Sequence, residues 1–301
     1  MKNKALIILA NFMLILPMSC TQGEFEESEE RSGVPVEADA ESELPGDGVI
    51  PGDVGKDDEK MTFTDYCFDL EDAENPDPGL KATIDAVIKA ANDDLCGAAA
   101  TKASRMDPLD LSDSGITDLR PLRRLGGVAN INLSGNRIED VSILATMPSL
   151  TSIDLSRNPI TSVESLSGLQ KLRTLVVSST RLEDFTSLEN LSSLSTLYAE
   201  SLAIVDTTPL GSLTSLRELS LASCDIKTLN GLENLSSLRD LNLSNSLVED
   251  ISVISSLTTI NSLEASGTPV SEAATIENCP QDSLSAAVAT FCQEATPAVV
   301  E

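Results

Sequence analysis

At 301 residues the chain is long enough for about two domains, and its 48 acidic against 20 basic residues leave a net charge of −28. That charge opposes binding to phosphate backbones, so nucleic acid is excluded as a partner. Histidine and tryptophan are absent and aromatic residues make up 3%. This excludes Ser-His-Asp and Cys-His nucleophilic sites, imidazole acid–base chemistry and mixed Cys/His zinc sites, and it leaves an aliphatic core.

In chain order, Lys2 and Lys4 open a leader whose apolar run, Ala5 to Leu16, is broken only by Asn11. A run that short cannot cross about 30 Å of hydrocarbon as a helix, so it reads as an export signal over 1–19. The segment Leu16-Pro17-Met18-Ser19-Cys20 resembles the lipobox of bacterial lipoproteins, with Pro17 where that family usually has leucine. The resemblance implies lipidation at Cys20. Because Thr21 rather than Asp follows, it also implies an outer-membrane or cell-surface address. A plain secretory signal with a chance cysteine is the alternative and would leave the protein secreted or periplasmic. Residues 20–61 show no hydrophobic period, and acids far outnumber Arg31, Lys56 and Lys60. Such a stretch buries too little apolar surface to offset its ordering entropy and reads as a disordered acidic tether.

Residues 62–105 read as a helical N-terminal cap. Asp77-Pro78 has the form of an N-cap followed by proline in the first helical position. Leu80, Ile84, Val87, Ile88, Ala91 and Leu95 continue at helical spacing, and Gly97 is the expected stop.

From Met106 to Gln281 the pattern Leu-x-x-Leu-x-Leu recurs every 22 residues through eight units without insertion. The fourth position of each unit runs Leu109, Ile131, Ile153, Leu175, Leu197, Leu219, Leu241 and Leu263. One unit cannot cover its own apolar face, but stacked units share a core. The repeats resemble the 22-residue leucine-rich repeats of internalins and SDS22-like proteins. The resemblance implies an α/β fold: a right-handed solenoid with a parallel sheet on the concave side and short helical turns on the convex side. It also implies an asparagine ladder at position nine, read here as Ser114, Asn136, Asn158, Thr180, Leu202, Cys224, Ser246 and Thr268. Leu202 can supply no hydrogen bond, so local irregularity is expected in the fifth unit. The acidic row at position thirteen, Asp118, Asp140, Asp184, Asp206, Asp250 and Glu272, with Ser162 and Thr228 between, is expected to cap the turns rather than to bind cations. Residues 282–301 complete a C-terminal cap and tail, with Leu284, Val288 and Phe291 as its apolar stripe.

Cys67 and Cys96 bracket the N-terminal cap, and Cys279 and Cys292 bracket the C-terminal one. In an oxidising compartment both pairs are expected as disulfides. A four-thiolate metal site, the rival, would need the two ends of the solenoid to meet. Cys224 falls in the core.

No phosphate loop, dinucleotide fingerprint or paired-carboxylate motif is present, so neither a catalytic residue nor a cofactor is expected. Function is sought on the exposed sheet face, where Asp154, Val176, Tyr198, Glu200, Ser220 and Asn242 are the candidate partner-binding residues and Tyr198 the candidate anchor. Arg173, Arg217 and Arg239 at position two are expected to be solvated or paired with Glu218 and Asp240. The resemblance implies a non-catalytic, monomeric protein-binding module serving adhesion, envelope scaffolding or recognition of another cell, which meets a membrane only through its lipid. The alternative is a cytoplasmic SDS22-like regulatory subunit of a phosphatase or other enzyme.

Overall fold

Short strands recur where isoleucine or leucine alternates with small polar residues, because that period of two places one side chain in the core and its neighbours in solvent. In the computed structural model these are β1 (Leu109–Asp110), β2 (Asn130–Asn132), β3 (Ser152–Asp154), β4 (Thr174–Val176), β5 (Thr196–Tyr198), β6 (Glu218–Ser220), β7 (Asp240–Asn242) and β8 (Ser262–Glu264). They form one open parallel sheet in sequence order. Each strand pairs with the next at a shift of one unit, from Leu109 opposite Ile131 to Leu241 opposite Leu263. The structure describes residues 60–71, 73–255, 257–273, 279 and 285–295, all within one compact unit of the chain, Val54–Glu301. The leader, Cys20, nearly all of the acidic stretch and Leu284 lie outside the described residues.

Between strands the chain returns through short 3-10 turns, such as Ser142–Thr146, Glu164–Gly168 and Thr208–Ser212. The leucine and isoleucine columns are buried from Leu109 to Val270 except at Leu263, which is half-buried, and Phe185 is fully enclosed among them. Each such side chain contributes about 1.5–3 kcal/mol through burial.

The position-thirteen side chains act on the turns, one residue earlier than helix capping places them. Asp140 Oδ1 accepts from Ser142 N at 2.8 Å, Asp184 Oδ1 from Thr186 N at 2.9 Å and Asp206 Oδ1 from Thr208 N at 2.9 Å. Asp118, Ser162 and Asp250 do the same. This is the Asx- or Ser-turn bond, which starts a turn by presenting a side-chain oxygen to the second amide ahead. The sixth unit departs from it: Gly231 N donates to Glu233 Oε2 at 2.7 Å. Gly231 sits at φ +94° with the Thr208 backbone within 3 Å of any added Cβ, so only glycine fits there. Glu272 is the last residue of a short helix. Replacing Asp184 with alanine is expected to cost about 1 kcal/mol while Asp184→Asn stays near neutral. Urea unfolding of the two variants checks this, and equal losses would assign the effect to charge.

The asparagine ladder is present where asparagine stands. Asn136 Oδ1 accepts from Ser114 N and Ile116 N, each at 3.0 Å, while its Nδ2 donates to Leu111 O and Leu133 O. Asn158 repeats the pattern on Ile138 N, Leu133 O and Leu155 O. The irregularity expected at Leu202 does not occur: Leu202 is buried and β5 keeps its register with β4 and β6. The two carbonyls that an asparagine there would serve are served by neighbours. Thr180 Oγ1 donates to Val177 O at 2.8 Å, and the Cys224 thiol donates to Ala199 O at 3.2 Å.

The N-terminal cap comprises α1 (Phe63–Glu71), α2 (Pro78–Ala91) and α3 (Cys96–Ala103). Asp77 caps α2 as expected, accepting from Gly79 N at 2.8 Å. The helix stops at Ala91 rather than Gly97, however, because Asn92 adopts a left-handed φ of 49° and closes its end. Leu95 is consequently exposed, and Gly97 lies inside α3. A disulfide joins Cys67 of α1 to Cys96 of α3. At the other end the eighth unit carries a short helix, α4 (Pro269–Glu272), started by a capping box between Thr268 and Ser271. There α5 (Ala286–Ala295) packs on β8, and Cys279 is bonded to Cys292. Among the described residues no helix is long and apolar enough to cross a membrane.

Candidate functional site

Parallel sheets usually have both faces covered. Here one face meets the leucine core, and the other carries side chains that no further layer of the described chain covers. Because every strand repeats the register of its neighbour, Asp154, Val176, Tyr198, Ser220 and Asn242 stand opposite one another as a single row. The six candidate residues do not behave alike. Asp154 Oδ1 accepts from Ser156 N at 2.9 Å, and Asn242 Oδ1 from Ser244 N at 2.9 Å, so both are engaged in closing their own strand ends. Val176 is half-buried beside the more exposed Tyr198. Ser220 is buried, its hydroxyl donating to Glu200 Oε1 at 2.6 Å.

Four of the six line a pocket of ≈ 280 Å³ over the C-terminal half of the face: Tyr198, Glu200, Ser220 and Asn242. Asp154 and Val176 are not part of its lining. Sequence reasoning had not grouped Glu218, Asp240 and Glu264 with them, yet the register brings all three to the same pocket. The signal lies in the spacing: position three of one unit, held here by Glu218 and Asp240, lies diagonal to position five of the unit before it, and Glu264 stands at position five itself, opposite Asn242. Through that diagonal Tyr198 donates its hydroxyl to Glu218 Oε2 at 3.0 Å. Arg217 and Arg239 are exposed and make no ion pair with Glu218 or Asp240 among the described residues, the solvated one of the two arrangements expected for them. Arg173 donates from Nη1 to Ser193 O at 2.9 Å.

Partial burial raises the pKa of the Tyr198 hydroxyl, and its hydrogen bond to Glu218 and the charges of Glu218, Glu200 and Asp240 add to the rise. The protonated phenol is therefore favoured in the folded state. Its contribution to stability is complete below the unfolded value and is lost as pH climbs through the folded one. The chain has two tyrosines, so a Tyr66→Phe variant reports Tyr198 alone by near-ultraviolet tyrosinate absorbance. Its midpoint is expected above 10.0, and adding Glu218→Gln is expected to lower it part of the way. A midpoint unmoved by Glu218→Gln would detach the two side chains.

Cys224 is a buried free thiol whose pKa burial raises, so it stays protonated as a ladder donor. The sulfurs of Cys67 and Cys96, grouped with Glu71, are tied up in a disulfide and leave no thiolate for a metal.

An open parallel sheet advancing one unit at a time, with 3-10 turns behind it, defines a leucine-rich-repeat solenoid. The leucine-rich-repeat family model, built from two repeat copies, matches residues 127–170 and 214–258. Internalin C2 of Listeria monocytogenes is 28% identical over 67% of this chain and 91% of its own, with a TM-score of 0.57. A second internalin of that organism, inlF, is 26% identical over 56% of this chain, with a TM-score of 0.52, and this chain spans 50% of its length. A leucine-rich-repeat protein of Leptospira interrogans, 24% identical over 57% of this chain and 46% of its own, shares the fold at a TM-score of 0.53. No curated protein matches by sequence.

Proposed function

We propose that the protein is a non-catalytic binding module that takes a protein partner on the open face of its sheet and is held at a bacterial surface through a lipid on Cys20. The uncovered face of an eight-stranded parallel sheet carries the binding reading. A sheet of that length offers a continuous surface on rigid strands, and Tyr198 stands on it as an exposed aromatic of the kind that anchors interfaces. Bonded cap cysteines at both ends support an oxidising compartment and count against a reduced cytoplasmic regulator.

Two measurements test the two halves of this reading. A photo-crosslinking residue at position 198 is expected to capture a partner on cells that make the protein, whereas one at position 183 on the turn side is not. Capture from position 183 alone would move the interface off the sheet. The double variant Val176→Ser, Tyr198→Ser, which carries no crosslinker, is expected to fold normally and to weaken pull-down of the captured partner about tenfold. For the anchor, intact mass from the membrane fraction is expected to show a species beginning at Cys20 with added acyl mass and lacking four hydrogens for two disulfides. A full-length, reduced, soluble species would overturn it.

A further inference from the structure

The charge on the sheet face is distributed unevenly. Among the described residues the ion pairs gather toward the N-terminal end: Lys81 with Asp85, Lys102 with Asp93, Arg120 with Asp118 and Arg157 with Asp113. In the pocket over β5 to β8, Glu200, Glu218, Asp240 and Glu264 make no ion pair among the described residues, and no basic residue belongs to the lining. The donors that reach them among the described residues are neutral, Ser220 on Glu200 and Tyr198 on Glu218. The carboxylates also do not converge. Among the described residues the sole group of three ligand atoms within 4.8 Å is that of Cys67, Glu71 and Cys96. A compact cation would find no cage here, because the acids are strung across neighbouring strands about 4.8 Å apart. A long cationic ligand could meet them in turn.

Resting on the sheet-face reading above, we propose that this pocket takes an extended, arginine-bearing segment of the partner, with one guanidinium laid against the Tyr198 ring and directed to the carboxylates beside it. Arginine suits the site for three reasons. Its planar group stacks on an aromatic face, its fork presents paired donors to a carboxylate, and its weaker hydration lowers the cost of leaving water. The partly exposed ring of Tyr198 lies beside Glu218, to which its hydroxyl donates, so an aromatic surface and a carboxylate adjoin in one place. A second copy of this chain is a poor occupant, since it brings the same net charge of −28.

The probe is a fluorescent hexapeptide alternating arginine and serine, with a glutamate–serine hexapeptide as control, read by anisotropy against the full-length protein. The arginine peptide is expected to bind and the glutamate peptide not. The quadruple variant Glu200→Gln, Glu218→Gln, Asp240→Asn, Glu264→Gln is expected to weaken binding at least about tenfold. An equal-charge variant off the sheet, Glu139→Gln, Glu164→Gln, Glu183→Gln, Glu189→Gln, is expected to change it less than about twofold. Tyr198→Phe keeps the ring and should retain binding, while Tyr198→Ser should lose about fivefold. Thermal melts confirm that each variant is folded, and the single Tyr198 variants decide the matter if the quadruple one is not.

Equal weakening by both quadruple variants would reduce the effect to overall charge and overturn the proposal. So would indifference to Tyr198→Ser, or full displacement of the peptide by calcium chloride at matched ionic strength. Crosslinking from position 198 without arginine-peptide preference removes the basic-segment assignment and leaves the sheet face as the docking surface. Crosslinking from position 183 alone removes both.

Discussion

Asn158→Ala is expected to destabilise the protein by roughly 3–4 kcal/mol, whereas Ser246→Ala, at the same position of another unit, should cost nothing or gain up to about 1 kcal/mol. Asn158 is 2% exposed, and its removal leaves Ile138 N–H and Leu155 O without partners inside the solenoid; Leu133 O retains its bond from Asn136. Ser246 is 1% exposed and its hydroxyl has no hydrogen-bond partner among the described residues. Deleting a satisfied carboxamide strands what it served, while deleting a stranded hydroxyl removes a buried polar group and nothing else. By the ladder's spacing an asparagine at 246 would address Leu221 O and Leu243 O, so Ser246→Asn should stabilise by about 1 kcal/mol. Urea midpoints of the three variants provide the comparison. Equal destabilisation by both alanine changes would show that the position responds to volume rather than to hydrogen bonding.

The second large effect concerns the ends. Removing the Cys67–Cys96 bond as a double alanine variant should cost roughly 3–4 kcal/mol, since it releases a loop of 29 residues in sequence. The loss should be local. In a stack where each unit touches its neighbours, fraying begins at the opened end and spreads inward. Amide exchange is therefore expected to accelerate in α1 to α3, β1 and β2 while β5 to β7 keep their protection. Uniform acceleration along the sheet would mean that the solenoid unfolds in one step and that the cap is no separate clamp.

Much of this architecture is legible in the chain because the same residue type must recur wherever the same contact recurs. The columns through Leu109 and Leu111, and the turn-starting row from Asp118 to Asp250, are visible from spacing alone. What escaped reading depends on neighbours rather than on type. The eighth position of every unit has positive φ, but Arg157, Ser179, Ser201 and Ser223 stand there as well as Gly135 and Gly267, so composition does not mark it. Asn92 ends α2 in the manner of a glycine, while the glycine that looked like the stop lies inside the next helix. Leu202 promised a gap in the ladder, and Thr180 and Cys224 fill it from the adjoining units. The pocket was hidden for the same reason: Glu218 lies 20 residues from Tyr198 in the chain and becomes its partner only through the register.

That unbroken register has a consequence for how the gene can vary. Cutting out one full repeat, for instance residues 150–171, would bring Leu172 into the place of Leu150 and Leu175 into that of Ile153, opposite Ile131. The strand register at the new joint would be that of the seven already present, although Thr180 would stand where Asn158 serves the ladder. Unequal recombination can therefore lengthen or shorten the molecule in whole steps, upstream of Tyr198, without touching the acidic pocket. Reach and recognition are inherited separately.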